Sequence, residues 1–87
     1  MWYLYILKSE TSEHFYKGST NDLERRLLQH NAGAVRSSAP YRPYKLVYYE
    51  AYVHEFAARQ RESAVKKSGS VSVPLIHRIR QSLVLNE

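Results

Sequence analysis

The sequence predicts an α/β fold, a small layered domain in which a three-stranded, mainly antiparallel sheet is flanked by three helices. Three observations lead there. Two runs of aromatic, leucine and β-branched side chains, Trp2–Leu7 and Phe15–Thr20, are separated only by a polar stretch, which is the pattern of a hairpin with a longer loop. A third such run, Lys45–Tyr52, follows a helical segment. The remaining apolar residues recur three and four apart, as on the inner faces of helices packed against a sheet. At 87 residues the chain has room for one such core, so residues 1–87 are read as a single domain.

Each element has its own reason. Trp2-Tyr3-Leu4-Tyr5-Ile6-Leu7 is too short for a helix and reads as a well-buried strand, and the polar residues Ser9 to Glu13 turn the chain into the second strand. Thr20 or Asn21 is the expected N-cap of the first helix. Asp22 and Glu24 place negative charge in its first turn, Leu23, Leu27 and Leu28 form its apolar stripe, and Gly33 ends it. Ala34 to Tyr44, with two prolines and two serines, reads as loop before the third strand. A second helix is expected over Glu55–Lys67, with Phe56, Ala57, Ala64 and Val65 turned to the sheet and Ser68-Gly69-Ser70 as its end. Ser72 followed by Val73-Pro74 predicts the start of a third helix whose inner face is Leu75, Ile76, Ile79 and Leu83.

Composition narrows the function classes. There is no cysteine, which excludes a disulfide scaffold and a thiolate metal site and suits a reducing cytoplasm. The apolar run at the start is far too short for a signal peptide or a membrane span, so a soluble, cytoplasmic protein with no membrane partner is expected. Thirteen basic residues face eight acidic ones, a net charge of +5. Their placement is uneven. Arg25, Arg26, Arg36, Arg42 and Lys45 fall in a stretch without an acid, and Arg59, Arg61, Lys66, Lys67, Arg78 and Arg80 surround the single acid Glu62. Such clustering is the electrostatic footprint of a polyanion, with nucleic acid as the leading partner, although excess charge also serves plain solubility.

Several side chains could carry chemistry. Tyr5 and Tyr16 become neighbours if the first two strands pair in register, and as an ordinary cross-strand aromatic pair they would contribute only about 0.2–1 kcal/mol. Arg26 and His30 are four apart and share one helix face, where a guanidinium can fork onto phosphate oxygens and an imidazole can trade a proton, or both can simply be solvated. Glu62 either balances the charge of its basic neighbours or holds a hard cation such as Mg²⁺, which binds through one or two carboxylates and completes its shell with water and phosphate.

Taken together and in order, these residues resemble the GIY-YIG nuclease family in its small single-domain form. The first signature tripeptide aligns with Tyr3-Leu4-Tyr5 and the second with Tyr16-Lys17-Gly18, followed by Ser19-Thr20-Asn21-Asp22-Leu23 and then Arg26, His30, Asn31 and Gly33. Pro43 to Glu50 is similar to the family's third-strand segment, and Ala58, Arg61-Glu62 and Lys66 to its glutamate helix. The match runs from residue 2 to about 67. Three positions depart from the pattern: Tyr3 and Leu4 in the first tripeptide, and Lys17, where an apolar residue is common.

The resemblance implies a divalent-metal-dependent endonuclease that hydrolyses phosphodiester bonds with one Mg²⁺ or Mn²⁺ ion. It assigns Glu62 to the metal, Arg26 to catalysis, Tyr5 and Tyr16 to the signature tyrosines, and His30 to the histidine or tyrosine position of the helix. Gly18 is the signature glycine, with a structural role that leaves room for substrate or for the adjacent helix. The expected nucleic-acid contacts are Lys17, Arg25, Arg36, Arg42, Lys66 and Lys67. The expected substrate is DNA before RNA, cut with structure selectivity or low sequence specificity, in DNA repair or recombination, with any further specificity supplied by a protein partner. Two other functions compete: a non-catalytic nucleic-acid-binding module that keeps the fold, and a small interaction domain of a larger repair complex. An intact Glu62 with Arg26 and both tyrosines is what hydrolysis requires and binding does not.

Overall fold

The computed structural model describes residues 1–85 and gives the order β1 (Trp2–Ser9), β2 (Phe15–Thr20), α1 (Leu23–Asn31), a short 3-10 turn (Ala39–Tyr41), β3 (Tyr44–Tyr52), α2 (Glu55–Lys67) and α3 (Gly69–Leu85). The strands form one sheet in the order β2-β1-β3, antiparallel throughout. The architecture is the expected one.

The central position of β1 explains its composition. Both of its faces are covered, so Leu4, Tyr5, Ile6 and Leu7 are all buried in sequence rather than alternating with polar residues. Leu4 and Ile6 pack with Val65 of α2 and with Leu75 and Ile79 of α3. Tyr5 and Leu7 pack on the other face with Tyr44 and with Leu23 and Leu27 of α1. The pairing of β1 with β2 sets Tyr5 opposite Gly18 and Leu7 opposite Tyr16, while a register shift at Ile6/Leu7 in the pairing with β3 leaves Val47 without a partner residue.

The helices differ from the sequence reading at three places, two of them boundaries and one the direction in which a side chain faces. The N-cap of α1 is Asp22, whose carboxylate accepts from the Arg25 N–H at 3.0 Å; Thr20 still belongs to β2 and its hydroxyl accepts from the Asp22 N–H instead. Phe56 does not face the sheet. It is 71% exposed, because α2 is rotated so that Ala58 and Val65 point inward, and two residues correspond to a turn of about 200° around a helix. Helix α3 begins at Gly69 rather than after Ser72, since the Ser68 carbonyl accepts from both Val71 and Ser72 and forms the first turn ahead of Pro74. Only Ser68 separates α2 from α3.

Two polar fixtures set the helices relative to the sheet. Asn31, the last residue of α1, accepts from the Tyr44 N–H at 2.6 Å and donates to the Tyr44 carbonyl at 3.0 Å, a two-point clamp on the start of β3. On the opposite face Glu50 of β3 receives both Nε and Nη2 of Arg61, at 2.9 and 3.1 Å, together with the hydroxyls of Tyr52 and Tyr48. Arg61 precedes Glu62, so this forked pair also fixes the rotation of α2 that aims Glu62. Among the described residues no helix is long and apolar enough to cross a membrane.

Candidate functional site

A cavity of about 480 Å³ opens where β1, β2, α1 and α2 meet, lined by Tyr5, Tyr16, Gly18, Ser19, Arg26, Arg59, Glu62, Ser63, Lys66 and Lys67. Residues more than fifty positions apart in the chain thus share one wall. Four cations surround one carboxylate, a composition that attracts phosphate.

Tyr5 is the centre of the α1 side. Its hydroxyl accepts from Arg26 Nε at 3.3 Å and lies 2.9 Å from His30 Nε2, while His30 Nδ1 lies 2.6 Å from the Ser38 hydroxyl. Donor accounting sets the direction of this chain. The Ser38 hydroxyl donates to the Val35 carbonyl, so it accepts from His30 Nδ1–H; a neutral His30 then offers Nε2 as the acceptor for the Tyr5 proton. Burial, with the Arg26 charge nearby, pushes the His30 pKa down to about 4 and keeps the ring neutral. Burial likewise pushes the Tyr5 hydroxyl up to about 12, against the opposing hydrogen bond and charge of Arg26. His30 is fully buried and lies behind Tyr5, outside the lining of the cavity.

That neutral, buried imidazole predicts an acid sensitivity. Its folded-state pKa lies below the ordinary 6.5, so the unfolded chain takes up the proton first as pH falls. Stability that is complete above pH 6.5 is therefore lost progressively as the pH falls toward 4, by about 3 kcal/mol for this group. Urea midpoints of wild type and His30→Gln at pH 7.5 and pH 5 check it: the wild type should lose more than the variant between the two, and equal losses would contradict the assignment.

Gly18 is required by Tyr5. A Cβ at this position would lie 2.5 Å from the Tyr5 hydroxyl oxygen and 2.7 Å from its Cζ. The room that glycine leaves is thus occupied by the phenol, rather than by substrate or by the adjacent helix. Gly18→Ala should displace Tyr5 from Arg26 and His30 and destabilise the domain by about 1–3 kcal/mol, read as a lowered melting temperature together with changed His30 ring resonances. Unchanged ring resonances would show that the phenol does not fill that space.

Tyr16 stacks on Tyr5 with ring centroids 6.4 Å apart and tilts over His30 at 4.5 Å. On the α2 side, Glu62 is half-buried and both of its oxygens are engaged. Oε1 accepts from the Ser19 hydroxyl and Oε2 from Lys66 Nζ, each at 2.6 Å. Burial raises its pKa, but the hydrogen bonds from Lys66 and Ser19 outweigh that and hold the carboxyl below its ordinary value, so it is ionised.

Seven of the residues singled out in the sequence line this cavity, Tyr5, Tyr16, Gly18, Arg26, Glu62, Lys66 and Lys67, and an eighth, His30, supports Tyr5 from behind. Lys17, Arg25, Arg36 and Arg42 are not among its lining residues. Lys17 borders a smaller depression with His14 and Ser37, Arg25 bonds to Asn21, Arg42 is held by the Ala39 carbonyl, and Arg36 is exposed in the loop. The structure adds Ser19, Ser63 and Arg59 to the wall and Ser38 behind it. Arg59 was findable, because it stands three residues before Glu62 on one helix, and Ser19 directly follows the second signature tripeptide; Ser38 had no comparable signal.

Comparison with known proteins adds an independent observation. The family model of the GIY-YIG catalytic domain matches residues 1–70, most of the chain. The chain belongs to the GIY-YIG family. A UPF0213 protein of Clostridium perfringens is 43% identical over 68 residues, covering 77% of this chain and 72% of that protein. A UPF0213 protein of Streptococcus pyogenes serotype M5 is 37% identical over 76 residues, covering 86% of this chain and 82% of its own. The solution NMR structure of the UPF0213 protein from Bacillus halodurans superposes with a TM-score of 0.53 at 29% identity, over 88% of this chain and 84% of that one. This GIY-YIG domain is therefore a small nuclease-family domain, whose class of substrate is nucleic acid. Its signature residues, Tyr5, Tyr16 and Gly18, are the ones that meet at the cavity.

Proposed function

We propose that this domain is a divalent-metal-dependent endonuclease that hydrolyses phosphodiester bonds, in DNA before RNA, with structure selectivity or low sequence specificity and a role in repair or recombination in the cytoplasm. One observation carries the reading: the Arg26 guanidinium, two phenols and an ionised carboxylate line a single basic cavity.

The residues fit one hard cation. Among the described residues no group of three or more His, Cys, Asp or Glu could hold a metal, which argues against a closed structural site. A single ionised carboxylate is what Mg²⁺ or Mn²⁺ uses when water and substrate phosphate fill the other positions, and Glu62 is that group. Bound there, the ion would supply Lewis-acid stabilisation of the phosphate and the leaving oxygen.

The protein's own side chains do the rest. Arg26 forks onto the non-bridging oxygens as negative charge builds on them. Arg59, Lys66 and Lys67 hold the flanking backbone against the cavity. Tyr5 orients rather than accepts a proton: its own proton is directed to His30, and burial holds the phenol's pKa up at about 12 and the imidazole's down at about 4, so both stay neutral. Tyr16, which lines the cavity and has its hydroxyl outside the His30 chain, is the phenol placed to hydrogen-bond and orient the attacking water, whose proton passes to solvent. His30 and Ser38 act through Tyr5 as positioning residues.

A panel of branched, nicked, duplex and single-stranded DNA, with matching RNA, tests this reading. Cleavage of at least one DNA substrate with Mg²⁺ or Mn²⁺, stopped by EDTA, is the expected result. Binding with a steep salt dependence and no cleavage of any substrate would favour the non-catalytic module instead, and no salt-dependent binding at all would favour an interaction domain.

A further inference from the structure

The carboxylate that would receive the cation already holds one. Its hydrogen-bond partners among the described residues are the Ser19 hydroxyl on one oxygen and Lys66 Nζ on the other, both at 2.6 Å. These partners are of different kinds. Ser19 belongs to a paired strand and is half-buried, so it holds its oxygen in place. Lys66 sits four residues along the same helix, its side chain 45% exposed on a flexible stem, and a pair at that spacing contributes little to folding. The oxygen facing Lys66 is therefore the one that can change partners at little cost to the fold. From its place on Glu62 the ammonium already lies beside the Tyr16 ring, 6.0 Å from its centroid, so the ring face is next to it when the carboxylate is given up.

We propose that Lys66 is the exchangeable counterion of Glu62: its ammonium neutralises the carboxylate until a divalent cation takes that oxygen, and the released ammonium turns over Tyr16 toward the nucleic-acid phosphate. This rests on the assignment of Glu62 as the metal ligand and deepens it. Exchange keeps the carboxylate from standing unpaired in the empty cavity. It also couples the two ligands, because a cation that evicts Lys66 delivers a charge to the phosphate, and a phosphate that attracts Lys66 clears the oxygen for the cation.

The test is Mn²⁺ affinity, read by electron paramagnetic resonance of the free ion, for wild type, Lys66→Met and Lys67→Met without nucleic acid. Lys67 lines the same cavity and controls for loss of one positive charge at short range. Lys66→Met should bind Mn²⁺ about five- to tenfold more tightly than wild type, and Lys67→Met less than about twofold. Both lysines are exposed, and matching melting temperatures and far-ultraviolet spectra check that the variants fold. Equal tightening by the two substitutions, or no tightening by Lys66→Met, would overturn the exchange. Absence of Mn²⁺ binding in all three proteins would remove Glu62 as metal ligand and the exchange with it. Tightening specific to Lys66→Met alongside a wild type that cleaves nothing would support the exchange and overturn the nuclease reading alone.

Discussion

Glu62→Gln should lower cleavage at least about 10³-fold while leaving the domain folded and able to bind nucleic acid. The amide keeps the shape of the side chain and still accepts from Ser19 on one atom, but it carries no charge to hold a divalent ion. Loss of the Lys66 pair, which is nearly half exposed on the lysine side, costs less than about 1 kcal/mol. Because the substitution removes a negative charge from a basic cavity, oligonucleotide affinity should stay nearly unchanged or rise slightly. Cleavage rates together with fluorescence-anisotropy binding at fixed salt check both halves. A variant that cleaves as fast as wild type would show that Glu62 does not serve the reaction, and parallel losses of binding and cleavage would make it a binding residue only.

The second large effect belongs to Arg26. Arg26→Ala should lower cleavage by about 10²–10³-fold, the usual consequence of removing one donor aimed at developing charge. Because its guanidinium also donates to the Tyr5 hydroxyl and to Gln29, at 3.3 and 3.0 Å, the alanine variant leaves Tyr5 with its acceptor His30 but without its donor. Arg26→Lys retains the charge and lacks the fork, so it should recover binding and only a small part of the rate. The salt slope of oligonucleotide binding should fall by about one in the alanine variant and be restored in the lysine variant. A lysine variant with full activity would show that charge alone, without bidentate geometry, is what the reaction uses.

The strands were legible because their reason is local. An unbroken apolar run such as Leu4 to Leu7 has few structures available to it other than a central strand, and the structure buries all four residues. What the sequence misplaced depended on rotation and on competition between nearby candidates. Thr20, Asn21 and Asp22 could each cap a helix, and Asp22 took the role because Thr20 remained in the sheet. Phe56 is large and apolar, yet the turn of α2 follows the small Ala58 at the sheet and the Glu50–Arg61 fork, so Phe56 faces outward.

The site divides in the same way. Arg26 and His30 could be placed on one helix face from spacing alone, but their meeting on a single phenol depends on how α1 docks against β1. Glu62 and Ser19 are 43 positions apart and touch because α2 lies against β2, which no local pattern encodes. The basic residues outside the cavity show the limit of reasoning from charge: Arg25, Arg36 and Arg42 contributed to the same excess as Lys66 and Lys67 but are not among the residues lining it.

The central claim is that a divalent cation and a phosphate meet in the cavity between α1 and α2. Paramagnetic broadening by Mn²⁺, measured residue by residue in the amide spectrum of the labelled protein, tests it without any assumption about substrate. The account predicts that substoichiometric Mn²⁺ broadens the amides of Gly18, Ser19, Glu62 and Ser63 first, and that Glu62→Gln abolishes that pattern. Preferential broadening around other carboxylates such as Asp22 and Glu24, or a pattern that survives the loss of Glu62, would contradict it.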